Sequence, residues 1–177
     1  MNHPLAFISE HARKPVFFAL FAWTLFLFAV FQVLNIPLTT AAASFGIVSH
    51  QFAWMPDKAQ AIIASWSGPA GLYAAFGLGL DYLFMPSYAL TVAMGALLAA
   101  GRHSGWLARL GTWAAWGVFA AAIFDALENL GQAQQLLNGV ITAPLTIFVG
   151  LCASFKFALL LLAILYGLAG WVLPKDR

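Results

Sequence analysis

Four stretches of this sequence are each long and apolar enough to cross a lipid bilayer as a helix. They cover about residues 16–34, 70–100, 111–130 and 144–173. A spanning helix needs about 20 mostly apolar residues, because each residue adds about 1.5 Å across a hydrocarbon core of about 30 Å. Only 8% of the residues are charged and 63% are hydrophobic, so polar side chains are too few to cover a soluble domain. We therefore predict a single all-α domain over residues 1–177, a polytopic four-helix bundle in a membrane.

Basic residues at the ends of these stretches predict the orientation of the bundle. If the N-terminus is cytoplasmic, only Lys58 lies on the outer side, and the cytoplasmic side holds Arg13, Lys14, Arg102, Arg109, Lys175 and Arg177. This asymmetry sets topology in multi-pass proteins, and it predicts that both termini are cytoplasmic. A cleaved signal peptide is the alternative for the first stretch, whose apolar run exceeds a normal signal core. We predict a multi-pass protein of the cell membrane, specifically a bacterial inner membrane.

The outer connection between the first two stretches contains a short helical pattern. Pro56 suits a first helical turn, and Asp57 lies near the positive end of the helix dipole. Ile62, Ile63 and Trp66 then share one face. We predict a short interfacial helix at the outer end of the bundle with Trp66 at headgroup level, either as a surface anchor or as a lid over a pocket. His50, in the same connection, is expected to be a lone surface histidine.

Four ionisable side chains fall inside the predicted spans: Asp81, Asp125, Glu128 and Lys156. A charge at mid-bilayer costs several kcal/mol, so such residues normally face the interior of a bundle and pair. Asp125 and Glu128 share one helical face with Asn129 and Gln132 at i, i+3, i+4 and i+7 spacing, while bulky residues occupy the opposite face. The third span therefore turns its polar face inward.

The second and fourth spans show the same division. Asp81 shares a face with the small residues of its span and with Tyr88, and Lys156 shares a face with Cys152. The first span contributes almost no polar groups. Three spans are thus expected to direct ionisable groups to one axis, over the midplane and outer half of the bilayer.

This cluster is interpreted as a buried polar site that binds a small or lipid-like ligand, such as a quinone-like molecule entering from the bilayer. Asp125 or Glu128 would act as general acid or base, and Lys156 would hold an anion or a carboxylate. The expected ligand contacts are Asp81, Tyr88, Asn129 and Trp66. Catalysis is left open. The alternatives are a non-catalytic accessory or assembly subunit bound to a membrane-protein partner, and translocation of protons or small solutes.

Several other chemistries are not supported by the residues present. No pair of histidines lies within the spans to ligate haem, and we expect no cofactor. A divalent metal would compete with Lys156 for the same carboxylates, so no metal site is predicted. The single cysteine, Cys152, excludes an intramolecular disulfide and is expected to be a small buried hydrophobe. No basic run suggests binding to nucleic acid.

The order of the polar motifs resembles an uncharacterised group of small bacterial membrane proteins with four transmembrane helices. The resemblance is carried by Trp66, by Asp81 to Phe84 with Tyr88, by Asp125 to Asn129, and by Lys156. It implies the four-helix fold and no activity. In architecture alone, as four helices around buried acids, the chain is also similar to the sterol-isomerase and sigma-2-receptor family, whose motif is not matched residue by residue.

The charge balance of the cluster gives a testable expectation. Three acids and one lysine would carry a net charge of −2 if all were ionised, so we expect Lys156 to pair with Asp81 or Asp125 and a proton to be retained among the acids. In infrared spectra near neutral pH, Asp125→Asn or Glu128→Gln should lose a protonated carboxyl band, and the control Asp57→Asn should not. Proton sharing is excluded if neither variant loses a band.

Overall fold

The computed structural model describes residues 3–176, and within them the secondary structure is helical with no strand. The helices are α1 (Glu10–Asn35), a short 3₁₀ turn (Ile36–Leu38), α2 (Ile47–Gln51), α3 (Pro56–Ser65), α4 (Pro69–Ala100), α5 (Gly105–Asn138) and α6 (Ala143–Val172). Four of these, α1 with its 3₁₀ turn, α4, α5 and α6, are long and apolar enough to cross a membrane. The all-α class and the four membrane-capable helices are confirmed; the orientation of the termini and the interfacial position of α3 stay predictions.

The end of α5 differs from the end of the predicted third span. α5 ends at Asn138, well beyond the predicted end near Leu130, because Gln132 and Gln135 continue its buried face although they lower its hydropathy. The connection between α1 and α4 also contains α2, which no periodicity in the sequence indicates. These two additions bring polar groups of the connection and of α5 together.

The described chain forms two compact units. Unit 1 comprises Met1–Leu25, Pro86–Ile123 and Lys156–Arg177, and unit 2 comprises Phe26–Met85 and Phe124–Phe155.

Small side chains allow close helix packing in unit 1. A Cβ placed on Gly111 of α5 would lie 2.6 Å from the Cβ of Ala100 and from the Tyr166 ring. Tyr166 in turn donates a hydrogen bond of 2.8 Å to the carbonyl of Leu107. In lipid, helices associate through such close packing and through interhelical hydrogen bonds, because apolar burial gives little drive there.

The chain end of unit 1 is tied to the connection between α4 and α5. Both the backbone N–H and the hydroxyl of Ser104 donate to Asp176 Oδ2, at 2.6 and 2.8 Å, and the Asp176 N–H donates to the carbonyl of Arg102. The hydrogen bonds from Ser104 lower the pKa of Asp176, because they favour its ionised form.

The connection between α1 and α4 forms an apolar core with the start of α4 in unit 2. Its buried members are Leu38, Ala43, Ala53, Ala59, Ile62, Trp66 and Ala74. Trp66 is only 4% exposed, and its indole N–H donates a hydrogen bond of 2.8 Å to the carbonyl of Leu38. Burial of Ile62 and Trp66 confirms the predicted apolar face of α3. The position of Trp66 at headgroup level stays a prediction, and the indole itself is covered by the connection.

One turn at Gly46 sets the entry into α2. Asn35, the last residue of α1, accepts a hydrogen bond of 2.9 Å from the N–H of Ile47 and donates one of 3.4 Å to the carbonyl of Phe45. Gly46 has a φ of +58°, and a Cβ there would overlap the Asn35 side chain. Glycine is therefore required at this position for two independent reasons.

Two glycines of α5, Gly111 and Gly117, provide a matched test of this packing. We expect Gly111→Ala to lower the free energy of unfolding by about 1–3 kcal/mol, because the new methyl meets a Cβ that has no rotamer to change. In Gly117→Ala the new Cβ would sit 3.6 Å from Leu159, an ordinary contact, so that variant should be neutral or slightly more stable. Thermal unfolding in detergent, followed by circular dichroism, measures both, and equal effects would contradict the close packing at Gly111.

Candidate functional site

The polar face of α5 in unit 2 is buried, as its spacing predicts. Its members are Asp125, Glu128, Asn129, Gln132 and Gln135. The opposite face of the same segment is exposed, with Leu127 and Leu130 pointing outward. This confirms the inward face derived from i, i+3, i+4 and i+7 spacing and extends it by one turn to Gln135.

Asp81 of α4 and Asn129 of α5 meet directly. Asn129 Nδ2 donates a hydrogen bond of 2.8 Å to Asp81 Oδ2 and a longer one of 3.4 Å to the carbonyl of Leu78. Tyr82, the neighbour of Asp81, donates to the carbonyl of Ala126 at 3.3 Å. Two predicted site residues are thus joined by a direct hydrogen bond between α4 and α5.

A second set of contacts joins Glu128 to the connection between α1 and α4. Gln132 Nε2 donates a hydrogen bond of 2.7 Å to Glu128 Oε1, and Gln132 Oε1 lies 3.1 Å from His50 Nδ1. Because Gln132 Nε2 faces the Glu128 carboxyl group, Gln132 Oε1 accepts the hydrogen bond from the N–H at His50 Nδ1. This assignment fixes the tautomer of a neutral His50, and it leaves Nε2 with a lone pair.

His50 lies inside unit 2, only 1% exposed. Its ring meets the Trp66 indole edge-on, with 5.6 Å between the ring centroids. Burial lowers the pKa of His50, because the imidazolium loses its hydration, and contacts with the side chains of Gln132 and Gln135 partly oppose that shift. His50 is therefore a neutral imidazole near pH 7.

Gln135 adds a further contact between α5 and α6. Its Nε2 donates a hydrogen bond of 2.9 Å to Thr146 Oγ1, and the Thr146 hydroxyl donates to the carbonyl of Thr142 at 3.0 Å. Because Nε2 of the Gln135 amide donates to Thr146, Oε1 of the same amide points away from Thr146.

Four buried polar atoms of unit 2 make no hydrogen bond of good geometry within residues 3–176, although the Gln135 side chain lies close enough to His50 to affect its pKa. They are His50 Nε2, Gln51 Oε1, Asn129 Oδ1 and Gln135 Oε1. All four are hydrogen-bond acceptors in the arrangement described above. A buried acceptor left without a donor costs about 1–3 kcal/mol. A ligand that supplies hydrogen-bond donors to these four atoms would remove this cost.

Lys156 and Tyr88 belong to unit 1. Lys156 is 4% exposed, and its ammonium lies 4.7 Å from the centroid of the Phe157 ring, a cation–π distance. Tyr88 is buried as well. The predicted inward faces of both residues, and the burial of Cys152 in unit 2, are confirmed. The pairing of Lys156 with Asp81 or Asp125 stays a prediction.

The expectation that His50 lies on the surface was wrong. Its burial follows from the turn at Gly46 and from Gln132, a partner 82 residues away in the chain. A usable sequence signal was the continuation of polar residues along α5 beyond Glu128, since glutamines on a buried helix face need partners from another segment. Gln51, Gln135 and Thr146 were not singled out at all.

The fold and this buried face together define a membrane protein with four membrane-capable helices and an internal polar network. No protein-family model, no curated protein and no solved structure matches this chain. Within the described part of the chain, no three His, Cys, Asp or Glu side chains come close enough together to hold a metal ion.

The lowered pKa of His50 predicts how stability depends on pH. The unfolded chain takes up a proton near pH 6.5 and the folded chain does so only at lower pH, so stability should fall on acidification from pH 7 to pH 5. One such group gives at most about 1.4 kcal/mol per pH unit. His50→Gln should flatten this slope, whereas His11→Gln, at an exposed position, should leave it unchanged.

Denaturant unfolding in detergent at a series of pH values provides the measurement. A residual slope is expected in His50→Gln, because burial and Arg13 also lower the pKa of His3. A His50→Gln slope equal to that of the wild type would show that His50 is not held neutral by burial.

Proposed function

We propose that this chain is an integral membrane protein that binds a small, lipid-like molecule through a head group bearing hydrogen-bond donors. The head group contacts polar side chains of α2 and α5 in unit 2, with His50, Gln51, Asn129 and Gln135 as acceptors. The observation that carries the proposal is the set of four buried acceptor atoms described above. A hydroxylated or amine-bearing head group supplies the donors that these atoms need.

The apolar surroundings favour a ligand that comes from the bilayer. The polar network lies on helices that are otherwise apolar, and bulk water is absent from the hydrocarbon region. A molecule with an apolar body and a short polar end matches both environments, and its polar groups contribute most to affinity where water is excluded. The exposed faces of the membrane-capable helices carry many large apolar side chains, such as Leu127 and Leu130 on α5.

The network also gives His50 a chemical role in the proposal. With Nδ1 donating to Gln132, Nε2 is the basic atom, and it accepts a hydrogen bond from a ligand hydroxyl. Glu128 and Gln132 hold the imidazole in this tautomer, and the Trp66 ring packs against it. In this site Glu128 and Trp66 position His50, while Asp81 holds Asn129 in place.

Native mass spectrometry of the purified protein in a neutral detergent tests this function. We expect the wild type to retain a co-purifying molecule, and lipid extraction should identify one with a hydroxyl or amine head group. Gln135→Leu should lose that mass, because it removes one acceptor and leaves a side chain of similar size. Gln134→Leu changes the exposed neighbour on the same helix and should keep it.

The other outcomes separate the alternatives. A wild-type spectrum without an adduct would contradict ligand binding and favour a non-catalytic accessory subunit. An adduct retained in a folded Gln135→Leu variant would mean that the molecule binds elsewhere. Thermal unfolding of each variant distinguishes a lost ligand from a lost fold.

A further inference from the structure

A groove on unit 2 lies apart from the buried network. Its volume is about 500 Å³, and it is formed by the turn before α2, by α2 itself and by the first turn of α3. The polar and the large apolar residues that line it are Ser44, Phe45, Val48, Ser49, Phe52 and Lys58.

The polar part of the groove is cationic and rich in donors. Lys58 is exposed and makes no hydrogen bond or ion pair with any residue between 3 and 176. Ser49 Oγ accepts a hydrogen bond of 2.9 Å from the N–H of Phe45, so its own O–H is available to donate. The Ser44 hydroxyl is exposed in the same groove. An ammonium and two hydroxyls form a set of donors suited to a phosphate or carboxylate.

The apolar part of the groove is open to the surroundings. Phe45 is 72% exposed and Val48 is 39% exposed, although both are large apolar side chains. Phe52 is partly buried beside them and packs against the Trp54 ring, with 6.4 Å between centroids. Apolar surface next to an unpaired cation matches a molecule that carries an anion and a hydrocarbon chain together.

We propose that this groove binds one anionic membrane lipid, with Lys58 and the two serines on its phosphate and with Phe45 and Val48 against its chains. Lys58 is the only lysine or arginine of the connection between α1 and α4, so the positive charge that selects an anionic lipid is confined to the groove. The site is separate from the acceptor-rich network, which needs donors from its ligand. The two proposals can therefore fail independently.

The test uses the full chain in a neutral detergent with added phosphatidylglycerol or phosphatidylcholine of identical acyl chains. Native mass spectrometry should show one phosphatidylglycerol bound in preference to phosphatidylcholine. Lys58→Gln should lower phosphatidylglycerol occupancy about fivefold, to the phosphatidylcholine level, since one Lys contributes about that much near an anionic surface. Lys58→Arg should retain the binding.

Two further measurements test whether the acyl chains as well as the phosphate of the lipid contribute to binding. Phe45→Ser should weaken both lipids, because it removes apolar contact and leaves the cation in place. Added inorganic phosphate should not displace the bound lipid, and displacement would replace the proposal with a simple anion site. Unchanged phosphatidylglycerol binding in Lys58→Gln, or equal binding of the two lipids to the wild type, would overturn it.

Discussion

The hydrogen bonds that join Glu128, Gln132 and His50 are the constraint on which unit 2 depends. A carboxyl group on a membrane-capable helix needs polar partners, since nothing in a hydrocarbon environment solvates it. Gln132 supplies one partner with its nitrogen and then requires a donor for its oxygen. His50 is that donor. Burial of Glu128 on α5 therefore requires that the segment containing His50, between α1 and α4, packs inside unit 2.

The rest of the connection is built around this requirement. Asn35 and Gly46 aim α2 so that His50 points into unit 2, and Trp66 covers the imidazole while its own N–H is satisfied by Leu38. One short helix therefore has two different sides. His50 and Gln51 are buried, while Val48 and Ser49 face the groove that contains Lys58.

Features that depend on one helix can be predicted from the sequence, whereas contacts that join distant segments cannot. Asp125, Glu128 and Asn129 were assigned to a buried face because helical spacing depends only on neighbours within two turns. His50 was assigned to the surface because its burial depends on a left-handed glycine and on a partner from another helix. Lys156 shows the same distinction. Its burial is predicted by its helical face, whereas no local pattern specifies which residue pairs with it.

The separation of 82 residues between His50 and Gln132 also has a consequence for biosynthesis. At synthesis rates of about 5–20 residues per second, His50 leaves the ribosome roughly 4–16 s before its partner. For that interval the connection has no acceptor for His50 and cannot adopt its final packing. The connection must therefore remain unpacked until the Gln132 segment of α5 has been synthesised. Its folding is a late step of assembly, even though it lies in the first half of the chain.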